Sequence, residues 1–263
     1  MEELTLQEIQ QGSFRVLLKF KEICETNNLR YFLAYGTLIG AIRHKGFIPW
    51  DDDIDVWMPR PDYEKFIQYC IDNEMGYFIL KHYKTCKEYI YPIARLVDSR
   101  YKIEYTNAKE YGLGLFIDIY PLDGLKSECH RQSRKRRSYI RKISILCRNQ
   151  YISSPNKLKN ILKKIYYEFH KNKSLNKILS KSDKFAKKYK YNDYENIACT
   201  VWETTECFDK SDFASSVDVE FNGEIFKAPN GYDNLLKKTY GDYMKMPPEC
   251  ERIAHHFYRA YKK

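Results

Sequence analysis

The run Asp51-Asp52-Asp53-Ile54-Asp55 packs four carboxylates into five residues, and the apolar Val56, Trp57 and Met58 follow directly. Side chains of a strand alternate between its faces, so in a strand Asp53 and Asp55 project together with Ile54 and Val56 buried behind them. Two like charges held that way repel, and burial raises the cost. A fold tolerates them when a cation neutralises both, and Mg2+ (or Mn2+) suits hard carboxylate and phosphate oxygens. Asp118, a lone charge in the apolar stretch from Leu115 to Tyr120, is placed to complete the shell from a second strand. Asp51 lies on the metal side at the strand's entrance, whereas Asp52 points the other way and takes a structural role. An acid run is more often a solvated turn or a helix N-cap. The flanking apolar residues and the second isolated Asp weigh against that here. Such a centre serves phosphoryl transfer, in which metal ions clamp the attacking and leaving oxygens.

The elements around it follow from periodicity. Apolar residues at helical spacing from Leu4 to Thr26 predict a helix, and Tyr31 to Tyr35 a short strand. Gly36-Thr37 then opens a helix, where free amides hold phosphate and glycine lets the backbone approach; an ordinary N-cap is the competing reading. Arg43, His44 and Lys45 sit between that turn and the acid run, placed to neutralise donor phosphates or simply to form a solvated basic turn. Pro59 and Pro61 start a helix to about Asn73. Strands are expected at Tyr77 to Lys81, Ile93 to Val97 and Leu113 to Tyr120, the last ended by Pro121. Further strands fall at Ile197 to Trp202 and Val217 to Phe221, with a helix at Tyr232 to Tyr240 and the tail beyond it.

Between them lies a segment of another character. Residues 126–190 hold 21 Lys and Arg against three Asp and Glu, a net +18 in a chain of net +10, so the remainder carries −8. Such asymmetry implies regions with different partners. The segment reads as helices near 128–150, 156–171 and 174–190. Tyr139, Ile140, Ile143 and Leu146 give the first a buried face, and Leu158, Ile161, Leu162 and Ile165 do so for the second. Basic amphipathic helices of this kind lie on a membrane surface, bind an anionic acceptor, or form a solvated subdomain. The resulting division is 1–125 for the first part of a catalytic core, 126–190 for a basic helical insertion and 191–263 for the part that completes the core. Eight cysteines without a Cys-x-x-Cys pair read as reduced thiols, and the acidic, amphipathic start is not a signal peptide. A cytoplasmic location follows, with the basic segment able to touch the inner membrane face, and no run is long enough to span a bilayer.

The stretch GTLIGAIRHKGFIPWDDDIDVWMPRPDYEKF resembles the signature of the LicD family, and FIDIYPLDG and YDNLLKKTYGDYMKMPP, followed by Arg252 and His255, fit it in the same order. The resemblance spans about residues 30–125 and 220–256. It implies an α/β (α+β) chain of the nucleotidyltransferase fold, related to fukutin and fukutin-related protein, with a small mixed sheet flanked by helices. It further implies transfer of phosphocholine, or a similar phospho-group, from a CDP-linked donor such as CDP-choline to sugars of teichoic acid or lipopolysaccharide. Mg2+ is the expected cofactor, CMP the product, and the acceptor a glycan that can be lipid-linked.

By position Asp51, Asp53, Asp55 and Asp118 match the family's acids. In the expected mechanism Asp53 and Asp55 hold the metal on the donor pyrophosphate, and Asp118 completes the shell and accepts the acceptor hydroxyl's proton. Arg43, Lys45 or Arg95 stabilise charge on the transferred phosphate, although Arg95 fits a structural ion pair equally well. Arg252 and His255 close over the site, and His255 reads equally as a core histidine. Trp50 and Trp57 are candidates to enclose a quaternary ammonium, with packing favoured for Trp57. Two rivals stand beside this reading. One is a nucleotidyltransferase that moves NMP and releases pyrophosphate; the other is a non-catalytic basic module for RNA or membrane. No nucleic acid partner is expected, because paired aromatic strand motifs are absent.

Overall fold

A computed structural model describes residues 2–105, 112–126, 129–147, 153, 155–170, 172–202, 206–253 and 258–263, with backbone only for 129–133. The elements in chain order are α1 (Leu6–Thr26), β1 (Phe32–Leu33), α2 (Tyr35–His44), β2 (Asp55–Pro59), α3 (Arg60–Asp72), β3 (Phe78–Lys81), β4 (Ala94–Asp98), β5 (Tyr101–Tyr105) and β6 (Leu115–Leu125). They continue with α4 (Cys129–Leu146), α5 (Lys157–His170), α6 (Leu175–Ala186), β7 (Asn196–Ala198), β8 (Phe208–Asp209), β9 (Ser216–Phe221), β10 (Glu224–Pro229), α7 (Tyr232–Tyr240) and β11 (Tyr258–Lys262). The fold is mixed α and β, as the sequence implies.

One mixed sheet carries the order β1-β2-β6-β4-β3, and β7 and β8 extend it from the far end of β6. Only β2 and β6 run parallel; the other pairs are antiparallel. Helix α1 crosses this sheet at close range: a Cβ added to Gly12 would lie 2.1 Å from a methyl of Leu115. Its Thr5–Glu8 capping box fixes where it starts. The main core joins Val16, Leu17 and Phe20 of α1 to Val56, Ile117 and Ile119 of the sheet and to Ile54 just before β2, all fully buried.

Several expectations are corrected. The acid run is not itself a strand: β2 begins only at Asp55, and residues 51–54 are irregular, with a turn closed by Asp51 N–H donating to Ile48 O. Consecutive carboxylates in a buried strand would put charge on both faces, and the chain avoids this by curling. Strand β6 does not stop at Pro121 but continues to Leu125. The Asp118 amide donates towards β2, at Ile54 O. Proline at 121 is therefore out of phase and turns its missing N–H to the opposite edge. There β4 has ended its pairing at Ile119 and β7 begins only at Asp123.

Two strand pairs go unread in the sequence. β9 and β10 form a hairpin through Asn222 and Gly223, both at positive φ, and β11 pairs antiparallel with β5. In the basic segment the expected inner face of α4 is buried at Ile143 and Leu146, which pack on Ile178 and Leu179 of α6, while Tyr139 and Ile140 are half-buried. The expected buried face of α5 is instead exposed: none of its residues is buried. Among the described residues no helix is long and apolar enough to cross a membrane, and Cys24, Cys70 and Cys199 are buried free thiols.

Candidate active site

Strand register assembles the centre of the site. Asp55 of β2 lies opposite Asp118 of β6, and Asp118 lies opposite Arg95 of β4. One row across three adjacent strands therefore carries two acids and a guanidinium, all buried. Arg95 donates through Nε and Nη2 to the two carboxylate oxygens of Asp118, and through Nη1 to the Tyr105 hydroxyl at 3.0 Å. Its guanidinium carbon lies 4.0 Å from the ring centres of both Tyr91 and Phe116. Arg95 is thus fixed as the partner of Asp118, and it stands behind the acids rather than at the cavity.

Asp55 is the strained member. Burial chiefly, then the charges of Asp53, Asp118 and Asp51, push its carboxyl well above the usual range, while a hydrogen bond from Tyr120 acts in the opposite sense. Its Oδ1 is buried without a hydrogen-bond partner among the described residues. A buried carboxylate oxygen that lacks a donor and faces other acids is the chemistry that fits a divalent cation. The backbone of Asp55 is held from upstream, because its N–H donates to Thr37 Oγ1 at 2.9 Å and its C=O accepts from Ala34 N–H at 3.0 Å. Thr37 therefore sets the position of Asp55 with its side chain.

The irregular turn supplies the remaining acids. Single oxygens of Asp51, Asp52 and Asp53 come within 4.8 Å of one another. The strand alternation that assigned Asp52 to the opposite face does not operate in a curled segment, so Asp52 joins a group the sequence reading had left it out of. Gln10 donates to Asp51 O at 2.8 Å and the Tyr258 hydroxyl donates to Asp52 O at 3.1 Å, tying the turn to α1 and β11. Gly36 closes the other side: a Cβ there would sit 2.7 Å from Asp51 Oδ2. Gly36 occupies the first turn of α2, whose N-terminal amides have no side-chain cap.

A cavity of about 920 Å3 opens beside this turn, with Gly36, Asp51 and Asp53 on one wall and Trp50 and Arg43 on another. Tyr240 at the end of α7 and residues of the segment after it, up to Ile253, also line the cavity. Arg43 is tied to that segment by donating to Tyr243 O at 2.8 Å, and its Nε bonds His44 Nε2 at 2.9 Å. Burial, then the neighbouring Arg43 charge, lowers the His44 pKa. Lys45 is exposed at the C-cap of α2, where its carbonyl accepts from Asn222 N–H at 2.7 Å. It stands at the opposite end of α2 from Gly36 and is not among the cavity residues. Arg252 lies 5.7 Å from the Trp50 ring centre and donates to Pro247 O. Trp57 is buried against Tyr35, Phe208 and Phe213 and does not reach the cavity. His255 falls outside the described residues.

Residues 28–145 match the family described as LicD/FKTN/FKRP, nucleotidyltransferase domain. The chain is 32% identical over 278 aligned positions, covering 99% of both chains, to the lipopolysaccharide cholinephosphotransferase LicD of Haemophilus influenzae. It is also 31% identical over 122 positions to an uncharacterized protein of Rickettsia prowazekii, covering 43% of this chain and 46% of that one.

Proposed function

We propose that this chain, which belongs to the LicD family, transfers phosphocholine from a CDP-linked donor, CDP-choline foremost, to a hydroxyl of a cell-surface glycan of the lipopolysaccharide type. It is an enzyme of the transferase class. The single observation that carries the chemistry is the buried, unpartnered Asp55 Oδ1 beside Asp118 and next to the Asp51–Asp53 turn. Asp51, Asp53 and Asp55 are the residues that would hold Mg2+. When bound, the ion would neutralise these acids and polarise donor phosphate oxygens.

The chain's own residues do the rest. The donor phosphates lie near the amide end of α2, where the missing side chain of Gly36 lets the Asp51 carboxylate approach the helix start. Arg43 stands on the cavity wall to balance charge on the leaving CMP. The acceptor hydroxyl enters from the cavity and attacks phosphorus; the bond from phosphorus to the CMP oxygen breaks. The hydroxyl proton passes to an oxygen of Asp51 or Asp53 on the cavity wall that the ion would leave free. Asp118 is a poorer base than its position in the family motif suggests, because both its oxygens accept from Arg95. Its role is to hold the charge balance of the row. Trp50, with Tyr240 and Tyr243 on the same lining, is placed to meet a quaternary ammonium at the cavity.

The test is a panel of donors incubated with the enzyme, Mg2+ and lipopolysaccharide, scoring both small products. CMP released from CDP-choline only when acceptor is present supports the reading. Pyrophosphate released from a nucleoside triphosphate, with CDP-choline left intact, replaces it with NMP transfer.

A further inference from the structure

Helix α5 is amphipathic and mounted with its apolar side outward. Leu158, Ile161, Leu162, Ile165 and Phe169 recur at intervals of three and four, and occupy about 100° of the helix circumference at 3.6 residues per turn. Such a row ordinarily faces a core, yet these five side chains are 49–74% exposed. The half-buried residues of the helix are Asn160, Tyr166, Tyr167 and His170. Tyr166 lies against Arg141 of α4 at 5.9 Å and stacks on His170 at 4.1 Å. The polar and aromatic side thus holds α5 to the protein.

Charge frames the apolar row. On the helical projection Lys157 and Lys164 flank it on one side, with Glu168 between them and the row, and Lys159 flanks it on the other; Lys163 sits nearer the opposite side of the helix. Arg134, Lys135, Arg137 and Arg141 of the neighbouring α4 are exposed as well. We infer that the outward row of α5 inserts into an anionic lipid surface, with Lys157 and Lys164 on one side and Lys159 on the other meeting the headgroups. Only such a partner answers both features at once. A second copy would bring its own lysines against these, and a nucleic acid would satisfy the lysines but leave the apolar row in water. At 14 residues the helix is too short to span a bilayer, so it lies in the interface. The inference does not rest on the transfer reaction, so lipid binding and turnover fail separately.

The experiment is co-sedimentation of the full chain with vesicles of phosphatidylcholine, with and without about 30 mol% phosphatidylglycerol, at low and high salt. Binding is expected only with the anionic lipid, weakening at high salt. Leu158→Ser with Leu162→Ser and Phe169→Ser should lower the binding constant about tenfold or more, with the circular dichroism spectrum unchanged. Leu162→Trp supplies a gain of signal: brominated lipids should quench its fluorescence beyond that of the parent. Failure to bind anionic vesicles, unchanged binding by the triple serine variant, or no added quenching of Trp at 162 overturns the inference. So does a dimer that the serine variant dissociates, or tight RNA binding that it leaves intact.

Discussion

Replacing Arg60 with Met should destabilise the protein by about 3–5 kcal/mol, because it leaves two buried carboxylates short of their cation. Arg60 is buried and donates to Asp123 through Nε at 2.7 Å and Nη2 at 2.8 Å, and to Asp183 through Nη1 at 2.9 Å. Asp123, wholly buried near the end of β6, retains among the described residues the Thr200 hydroxyl at 3.0 Å when Arg60 is removed. Asp183 of α6 keeps the Tyr83 hydroxyl and Lys187, both at 2.7 Å, so most of the cost falls on Asp123. At about 2.1 cal/mol/K per residue, a chain of 263 residues loses about 7 °C in Tm for about 4 kcal/mol. The assay is urea unfolding at neutral pH, supported by thermal melts. Arg60→Met combined with Asp123→Leu removes the stranded charge and should recover at least about half the loss. Losses under about 1 kcal/mol for the single variant, or strict additivity in the double, refute the reasoning.

Other outcomes follow from the same geometry. Burial pulls the His82 imidazole down to about 3; the folded chain therefore keeps it neutral while the unfolded chain protonates it below about 6.5. Stability should fall as pH drops through that window, by about 3 kcal/mol between pH 7 and pH 4 from this group, and His82→Phe should flatten the slope in denaturant titrations run across that range. Gly36→Ala drives a methyl towards Asp51 Oδ2, so kcat for donor turnover should drop by about 10- to 100-fold while Tm stays near the parent's. Unchanged kcat would remove Asp51 from the site. Asp55→Asn relieves a buried charge facing three other acids, so in the presence of chelator it should raise Tm, by an amount on the order of 1–3 kcal/mol in stability; a lower Tm would contradict the repulsion.

Much of this site was legible because its residues are crowded in sequence. Asp53, Asp55 and the lone Asp118 stand out as charges in apolar surroundings, and β2 and β6 do bring Asp55 and Asp118 side by side. What the sequence hid was geometry set by distant partners. Asp52 appeared structural only under strand alternation, and a turn held by Gln10 and Tyr258 cancels that alternation. Arg95 gave no sign of being sandwiched by Tyr91 and Phe116, since ring contacts leave no period in the sequence. The β9–β10 hairpin did carry a signal, Asn222-Gly223, the dipeptide favoured where both turn residues take positive φ. The pairing of β11 with β5 joins residues more than 150 apart and had none. For α5 the period was read correctly and its direction was not, because a hydrophobic row does not say whether the core or another surface covers it.

In the proposed mechanism acids from the Asp51–Asp55 turn and β2 act together on a nucleotide-linked phosphate, and acceptor-dependent CMP release by Asp55→Asn tests this most directly. With CDP-choline, Mg2+ and lipopolysaccharide, the parent should turn over and the variant, folded by circular dichroism, should be slower by about 10^3-fold or more, a loss of about 4 kcal/mol of transition-state stabilisation. Release of CMP by the variant at a rate within a few-fold of the parent would contradict it.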